Sequence, residues 1–430
     1  MTVIYRQEII QDITMFTNQP KAKFYSTLFL HLDVTPITKS APKTGRKSQR
    51  AALFCAFIVM KCEGFSQITD LHDYLTNNLL IAYYCGFDIT KPLPSYWTFD
   101  RFIRNLDNQI LKEVMQLQVL KLAELGIIDT SFIGLDSTPI MANTKFNNPK
   151  AFVPERSTVQ PKSDTDCRFA VRSVSNQDGA KVYDAYWGYK NHVISDCITG
   201  LPIFELTTTA NIADSTVTLD MLAQTHKFLP ITECSFLADA AYDVKSIYNA
   251  VCDIYNGDCF IPINPRSKKD LSFMSSGNPK CDAGLAMRKD GKYLDKKRGM
   301  LKQKFCCPLK KSKDDNACPC NHPKYKRTIG SKSRGCTKHV VVPLPQDENR
   351  LKLDRNSKKF KSVYALRTET ERYNSRFKAT GQERLWVRNG KAAANLNSTA
   401  HIALLAVAVA AVITKSNVSY RSLKSVKRVA

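Results

Sequence analysis

The hydrophobic period changes at Gly126, and that change leaves few architectures open to this chain. Residues 102–125 carry apolar side chains at helical spacing (Leu106, Ile110, Leu111, Val114, Leu117, Leu120), and Gly126 stands where a helix C-cap is expected. Downstream the apolar runs shorten to strand length. Residues 132–136 form one that ends in Asp136. Residues 186–195 and 201–209 form two more, joined by a turn through 196–200. A helical pattern follows at 215–228, then a strand at 234–239 ending in Asp239, a helix at 244–252 and a strand at 259–263. Hairpin strands followed by alternating helix and strand predict a mixed α/β sheet.

Five stretches follow from this pattern. Residues 1–129 read as a helical N-terminal domain and 130–265 as the first part of an α/β core. Residues 266–360 are a polar, lysine-rich insertion. The core resumes with helices at 361–415, broken between Gly381 and Gly390, and 416–430 is a basic tail.

Charge narrows the function classes. The 63 Lys and Arg against 39 Asp and Glu leave a net +24, and an excess of that size calls for a polyanionic partner such as nucleic acid. A membrane is the weaker reading. The apolar run 402–413 is shorter than the roughly 18 residues a span needs, and its alanines suit a helix packed inside a core. The first residues show no secretory signal, so the 14 cysteines are expected as reduced thiols or metal ligands, and the protein in the cytoplasm on DNA or RNA. Between Arg266 and Lys378 there are 31 Lys and Arg but 11 Asp and Glu, so nearly all the excess charge sits in about a quarter of the chain.

Asp136 and Asp239 each end a short apolar run. In open sheets flanked by helices, ligands gather beyond those strand ends. Two carboxylates there make an oxygen site for Mg²⁺ or Mn²⁺, and paired divalent ions suit phosphodiester displacement. Glu371, in the first helical segment after the insertion, is the candidate third carboxylate. Asp136 and Asp239 also have a bland reading as cap or turn residues, Glu371 one as a salt-bridge partner of Arg367, and Tyr364 one as a core residue. Asp214 reads as a helix N-cap and Asp243 as the start of the next helix. His192 reads as a packed or hydrogen-bonded strand residue.

Tyr364, Arg367, Glu371 and Lys378, with two, three and six residues between them, resemble the Tyr-Arg-Glu-Lys signature of a group of DDE insertion-sequence transposases. The segment Gly134-Leu-Asp136-Ser-Thr-Pro-Ile is similar to that around the family's first Asp. Residues 188–215 are similar to its sheet hairpin, and Leu237-Ala-Asp239-Ala-Ala-Tyr242-Asp243 to its second-Asp segment. The resemblance spans about 130 to 415. It implies a ribonuclease-H-like mixed sheet with flanking helices, with Asp136, Asp239 and Glu371 binding Mg²⁺ or Mn²⁺, and with Tyr364, Arg367 and Lys378 contacting DNA. The implied activity is metal-dependent strand cleavage at transposon ends followed by strand transfer to target DNA, by a nucleoid-associated, bacterial homodimer. The alternatives are a nuclease on the same fold that does not join strands, and a catalytically dead DNA-binding descendant.

The insertion holds Cys306, Cys307, Cys318, Cys320 and Cys336 with His322 and His339. Cys306, Cys318, Cys320 and Cys336 are candidate Zn²⁺ ligands, although their spacing matches no standard finger; the alternative is a basic insertion with thiols that bind no metal. Residues 43–50 are basic and stand before a helical segment, a place for DNA contact or for a solvated loop. Trp386, Arg388 and Lys391 follow the signature, and Trp386 is expected in the core.

Overall fold

The structure is a computed structural model, and it describes residues 14–40, 49–148, 150, 159–175, 181–264, 273, 278–297, 299–311, 336–342, 349–355, 357–415, 420–421 and 423. Upstream of Gly126 the chain is helical, as α1 (Pro20–His31), α2 (Thr35–Lys39), α3 (Arg50–Glu63), α4 (Ile68–Asn77), α5 (Leu79–Cys85), α6 (Tyr96–Asn105) and α7 (Asn108–Glu124). The α7 start is set locally: the Asp107 side chain accepts a hydrogen bond from the Gln109 amide at 3.1 Å, which satisfies one of the free donors of the first turn.

The sheet begins with β1 (Phe132–Met141), longer than its apolar run because it continues past Asp136. β2 (Arg168–Ser175), a strand the sequence pattern does not announce, pairs antiparallel with the first half of β3 (Lys181–Asp196). The second half of β3 runs antiparallel between β1 and β4 (Pro202–Thr209). After helix α8 (Asp214–Phe228), β5 (Ser235–Leu237) pairs parallel with β1. β6 (Asp258–Phe260), reached through α9 (Lys245–Asn249), pairs parallel with β5. The antiparallel half comes from hairpins and the parallel half from helical crossovers, as parallel neighbours require.

The last three helices close one face of the sheet. They are α10 (Lys358–Ala365), α11 (Thr368–Phe377) and α12 (Gly390–Ile413), and the expected break falls between α11 and α12. α12 starts 12 residues before the apolar run, and its 24 residues are apolar and long enough to cross a bilayer; 89% of its most apolar window is nevertheless buried inside the fold, so it serves as a core helix. One hydrophobic core runs from Phe24 and Phe57 of the N-terminal helices through Ile133 and Val193 of the sheet to Leu405 and Val409 of α12.

Polar side chains cross this core in connected pairs. Lys61 on α3 is fully buried and donates to Gln382 Oε1 at 2.7 Å; Gln382 donates to Asn397 of α12 at 2.6 Å, and Asn397 to Thr207 of β4 at 2.9 Å. Ser398 and Asn191 donate to buried Glu205 at 2.5 and 2.7 Å, and Asn395 donates to the Ile103 and Leu106 carbonyls. Fully satisfied networks of this kind fix one arrangement of neighbouring elements. Burial pushes the Lys61 ammonium down to about 7 from 10.5. Between those values the unfolded chain binds more protons at this residue than the folded one, so its contribution makes stability rise with pH across that window. Lys61→Met is expected to flatten the rise. Thermal unfolding at pH 7 and pH 9 checks it, and an unchanged slope would mean that the ammonium is solvated.

Within the insertion, β7 (Arg288–Asp295), β8 (Met300–Cys306) and β9 (Thr337–Val341) form a separate three-stranded antiparallel sheet. Its own small core contains Cys281, Met287, Phe305, Cys307, Cys336 and Val340. The sequence reading finds few apolar runs here because only a handful of alternating positions are buried. Cys318, Cys320, His322 and the residues 43, 46 and 47 of the basic N-terminal cluster lie outside the described residues, as does most of 416–430.

Candidate active site

Asp136 lies inside β1 rather than at its end, and Asp239 lies just past the end of β5, at matching positions beyond the paired residues. Gly134 of β1 stands opposite Leu237 of β5, and Asp136 and Asp239 each lie two residues further on. Parallel pairing therefore delivers both carboxylates to the same end of the sheet. The Asp239 side chain accepts from the Ala241 amide at 2.7 Å and caps a 3-10 turn, Ala240–Tyr242. Asp136 accepts from the Ser137 amide at 2.9 Å through Oδ1 and from the Asn374 side-chain amide at 2.9 Å through Oδ2.

Asn374 belongs to α11, which reaches β1 because of Gly134. A Cβ there would meet Cys197 Sγ and Thr370 Cγ2 at 2.7 Å each, so glycine is what lets α11 rest directly on the strand. At the next turn of the same helix, Arg376 donates to the Gly200 carbonyl at 2.7 Å; Gly200 has φ +67°, and a Cβ there would sit 2.5 Å from the guanidinium.

The signature residues divide between two helices. Tyr364, near the end of α10, is partly buried and stacks on Phe360 at 5.7 Å. Arg367 lies at the junction and forms the N-cap of α11, with its guanidinium 5.8 Å over the Tyr364 ring. It bridges two of the three predicted carboxylates, donating to Glu371 Oε1 at 2.6 Å and lying 3.9 Å from Asp136 Oδ2. Glu371 is 57% exposed and is turned onto Arg367. Lys378 stands at the far end of α11 with its ammonium 3.8 Å from Glu383. The structure thus brings Asp136, Arg367 and Glu371 together and places Asp239 level with Asp136, while Lys378 is engaged elsewhere.

Negative charge is concentrated around Asp136. Burial pushes its carboxyl up to about 6, and Asp239 and Asp214 add to that; Arg367 and the Ser137 amide pull the other way. A carboxylate held at that cost, with a second level with it and a third on the helix above, is a donor set of oxygens suited to Mg²⁺ or Mn²⁺. Among the described residues no three His, Cys, Asp or Glu side chains already stand close enough to enclose a metal ion. Cys306 and Cys336, in and beside the insertion's small sheet, form no such group either.

Three local readings are corrected. Ala213, not Asp214, is the N-cap of α8; Asp214 is its first residue, and its side chain takes Lys190 at 3.0 Å and faces His192 Nδ1 at 3.6 Å. Asp243 starts no helix. It accepts from Arg350 at 2.7 and 2.6 Å, from Tyr248 at 3.0 Å and from the Asn264 amide at 2.9 Å, so that, against the effect of burial, its carboxyl stays below the usual range. His192 is fully buried and bonded to Thr208 at 2.8 Å, and burial lowers it to about 4, which leaves it neutral. Trp386 is not in the core: it is 45% exposed, with the Arg384 guanidinium 5.6 Å over its ring. Asn374 escaped the sequence reading, although it lies three residues after Glu371 and seven after Arg367, a helical spacing that points it to the same face.

No protein of curated function matches the chain. Among solved structures, it is similar to the piggyBac transposase of a synaptic complex with hairpin DNA, with a TM-score of 0.41 and 11% identity over 96% of this chain and 80% of that one. It is also similar to the Mos1 transposase of a paired-end complex with the left transposon end, with a TM-score of 0.18 and 11% identity over 53% of this chain and 63% of that one. Both likenesses are distant. The family described as "Transposase DDE domain" matches residues 123–406, a stretch that holds Asp136 and Asp239, the whole insertion and α10 to α11. On that match, over about two thirds of its length, the chain belongs to the DDE-domain transposase family.

Proposed function

We infer that this chain is a cut-and-paste DNA transposase whose active site is Asp136, Asp239 and Glu371 on a ribonuclease-H-like sheet. The observation that carries the reading is the docking of α11 on β1 at Gly134, which sets Arg367 and Asn374 against Asp136, level with Asp239. The strand order supports the fold: β4, β3 and β1 run antiparallel, with β2 also on β3, and β5 and β6 follow β1 in parallel, with Asp136 and Asp239 just beyond the β1–β5 pairing.

Asp136 and Asp239 would hold divalent cations, with Glu371 completing the set once it leaves Arg367. Such ions supply Lewis-acid stabilisation of the attacking and leaving oxygens of a phosphodiester. The protein's own residues do the positioning. Asn374 and the Ser137 amide fix the two oxygens of Asp136, and Asp239 is fixed by the turn it caps. Arg367 neutralises Asp136 and Glu371 in the absence of substrate; a scissile phosphate would take over its guanidinium, with Tyr364 and Lys378 as further DNA contacts and a homodimer holding two ends. The basic insertion adds backbone contact that weakens steeply with salt.

The test is Mg²⁺- or Mn²⁺-dependent cleavage of DNA carrying the flanking ends of the element that encodes the chain, followed by joining of the freed 3′-hydroxyl to a target plasmid. Cleavage with joining is expected. Cleavage without joining would assign a nuclease instead, and end binding without cleavage in Mn²⁺ a dead descendant.

A further inference from the structure

Tyr242 is buried to 1% at the end of the 3-10 turn that Asp239 caps, and its amide donates to the Asp239 carbonyl at 3.1 Å. Among the described residues its hydroxyl has no hydrogen-bond partner. A buried hydroxyl without a partner is destabilising, and phenylalanine would fill the same space without that cost. The surroundings of this hydroxyl are not apolar. The charges that act on the phenol are those of Asp214, Asp136, Asp239 and Arg367, the residues around the candidate cation site. Burial first, and then the three carboxylates, push the phenol far above the ordinary tyrosine range.

Resting on the active-site reading above, we propose that Tyr242 is a positioning residue of the cation site, whose hydroxyl donates a hydrogen bond into the oxygen shell that Asp136 and Asp239 form around a divalent ion. The hydroxyl is left without a partner in the protein because its acceptor belongs to the loaded site. Donors of this kind orient ligating carboxylates, and their loss typically weakens metal binding or activity by about 10- to 100-fold.

The experiment compares full-length wild type, Tyr242→Phe and Asp239→Asn by Mn²⁺ titration, followed by electron paramagnetic resonance, and by thermal unfolding with and without Mn²⁺. Tyr242→Phe is expected to bind Mn²⁺ about tenfold more weakly and to lose part of the Mn²⁺-induced rise in Tm. Without the ion its Tm is expected to equal or exceed that of wild type, since only a hydroxyl without a partner has been removed. Mn²⁺ affinity equal to wild type in Tyr242→Phe, with Asp239→Asn impaired, overturns the proposal and leaves the cation site standing. A fall in the metal-free Tm of Tyr242→Phe also overturns it, because the hydroxyl would then have a partner within the protein. Undiminished Mn²⁺ binding in Asp239→Asn removes the cation site itself, and the proposal with it.

Discussion

Glu371→Gln is expected to lower DNA cleavage by about 10³-fold or more, because a neutral amide cannot replace a carboxylate in neutralising and holding a divalent ion, a contribution of several kcal/mol to the transition state. The fold should barely register the change. Glu371 is 57% exposed, and its ion pair with Arg367 is of the surface type that contributes roughly 0.5 kcal/mol. End binding should persist or strengthen slightly, since a negative charge leaves the DNA-facing side and Arg367 becomes free for phosphate. Cleavage and gel-shift assays on the same preparation separate these effects. Wild-type cleavage by the variant would take Glu371 out of the site and leave Asp136 and Asp239 in need of another partner.

The second large effect is expected at Gly134. In Gly134→Val the new Cβ begins 2.7 Å from both Cys197 Sγ and Thr370 Cγ2, and two further methyl groups extend from it. Either α11 lifts from β1 or the β3–β4 turn gives way, at a cost of about 1–3 kcal/mol for overpacking. A shift of about 1 Å at a reacting centre costs on the order of 10²-fold in rate. Cleavage should therefore fall far more than the loss of stability explains at assay temperature. The milder Gly134→Ala should be partly rescued by Thr370→Ser, which removes one of the two clashing atoms and keeps the hydroxyl that bonds the Arg367 carbonyl. Unimpaired cleavage in Gly134→Val would show that the docking of α11 does not position the chemistry.

Much of this site is legible in the chain because its parts are local. A carboxylate at the end of a short apolar run, and an Arg-Glu pair four residues apart on a helix, are patterns of single elements. What was hidden depends on partners distant in sequence. Asp214 looks like a helix N-cap and Asp243 like a helix start because short polar residues favour those places, but Lys190 and Arg350 take their side chains instead. The break before α12 is announced by Gly381 and Gly390, but nothing in sequence announces that Asn395, Asn397, Ser398 and His401 are interior; Glu205, Asn191, Gln382 and two backbone carbonyls make them so. The hydroxyl of Tyr242 carries no signal in sequence, since tyrosine and phenylalanine occupy a core alike. The same limit hid β7 to β9, whose lysine-rich strands bury only a few side chains.

The unbroken core through α12 bears on how such a protein can be recombined. Lys61 and Gln382 are 321 residues apart and meet in a fully enclosed contact, so the N-terminal helices and the segment before α12 fit as a matched pair. A chimera that exchanges the helices before Gly126 for those of a relative, in the hope of redirecting which DNA it reads, would set a foreign bundle against α12. Grafts that carry α12 and the Gln382 turn along with the N-terminal helices keep both halves of the match.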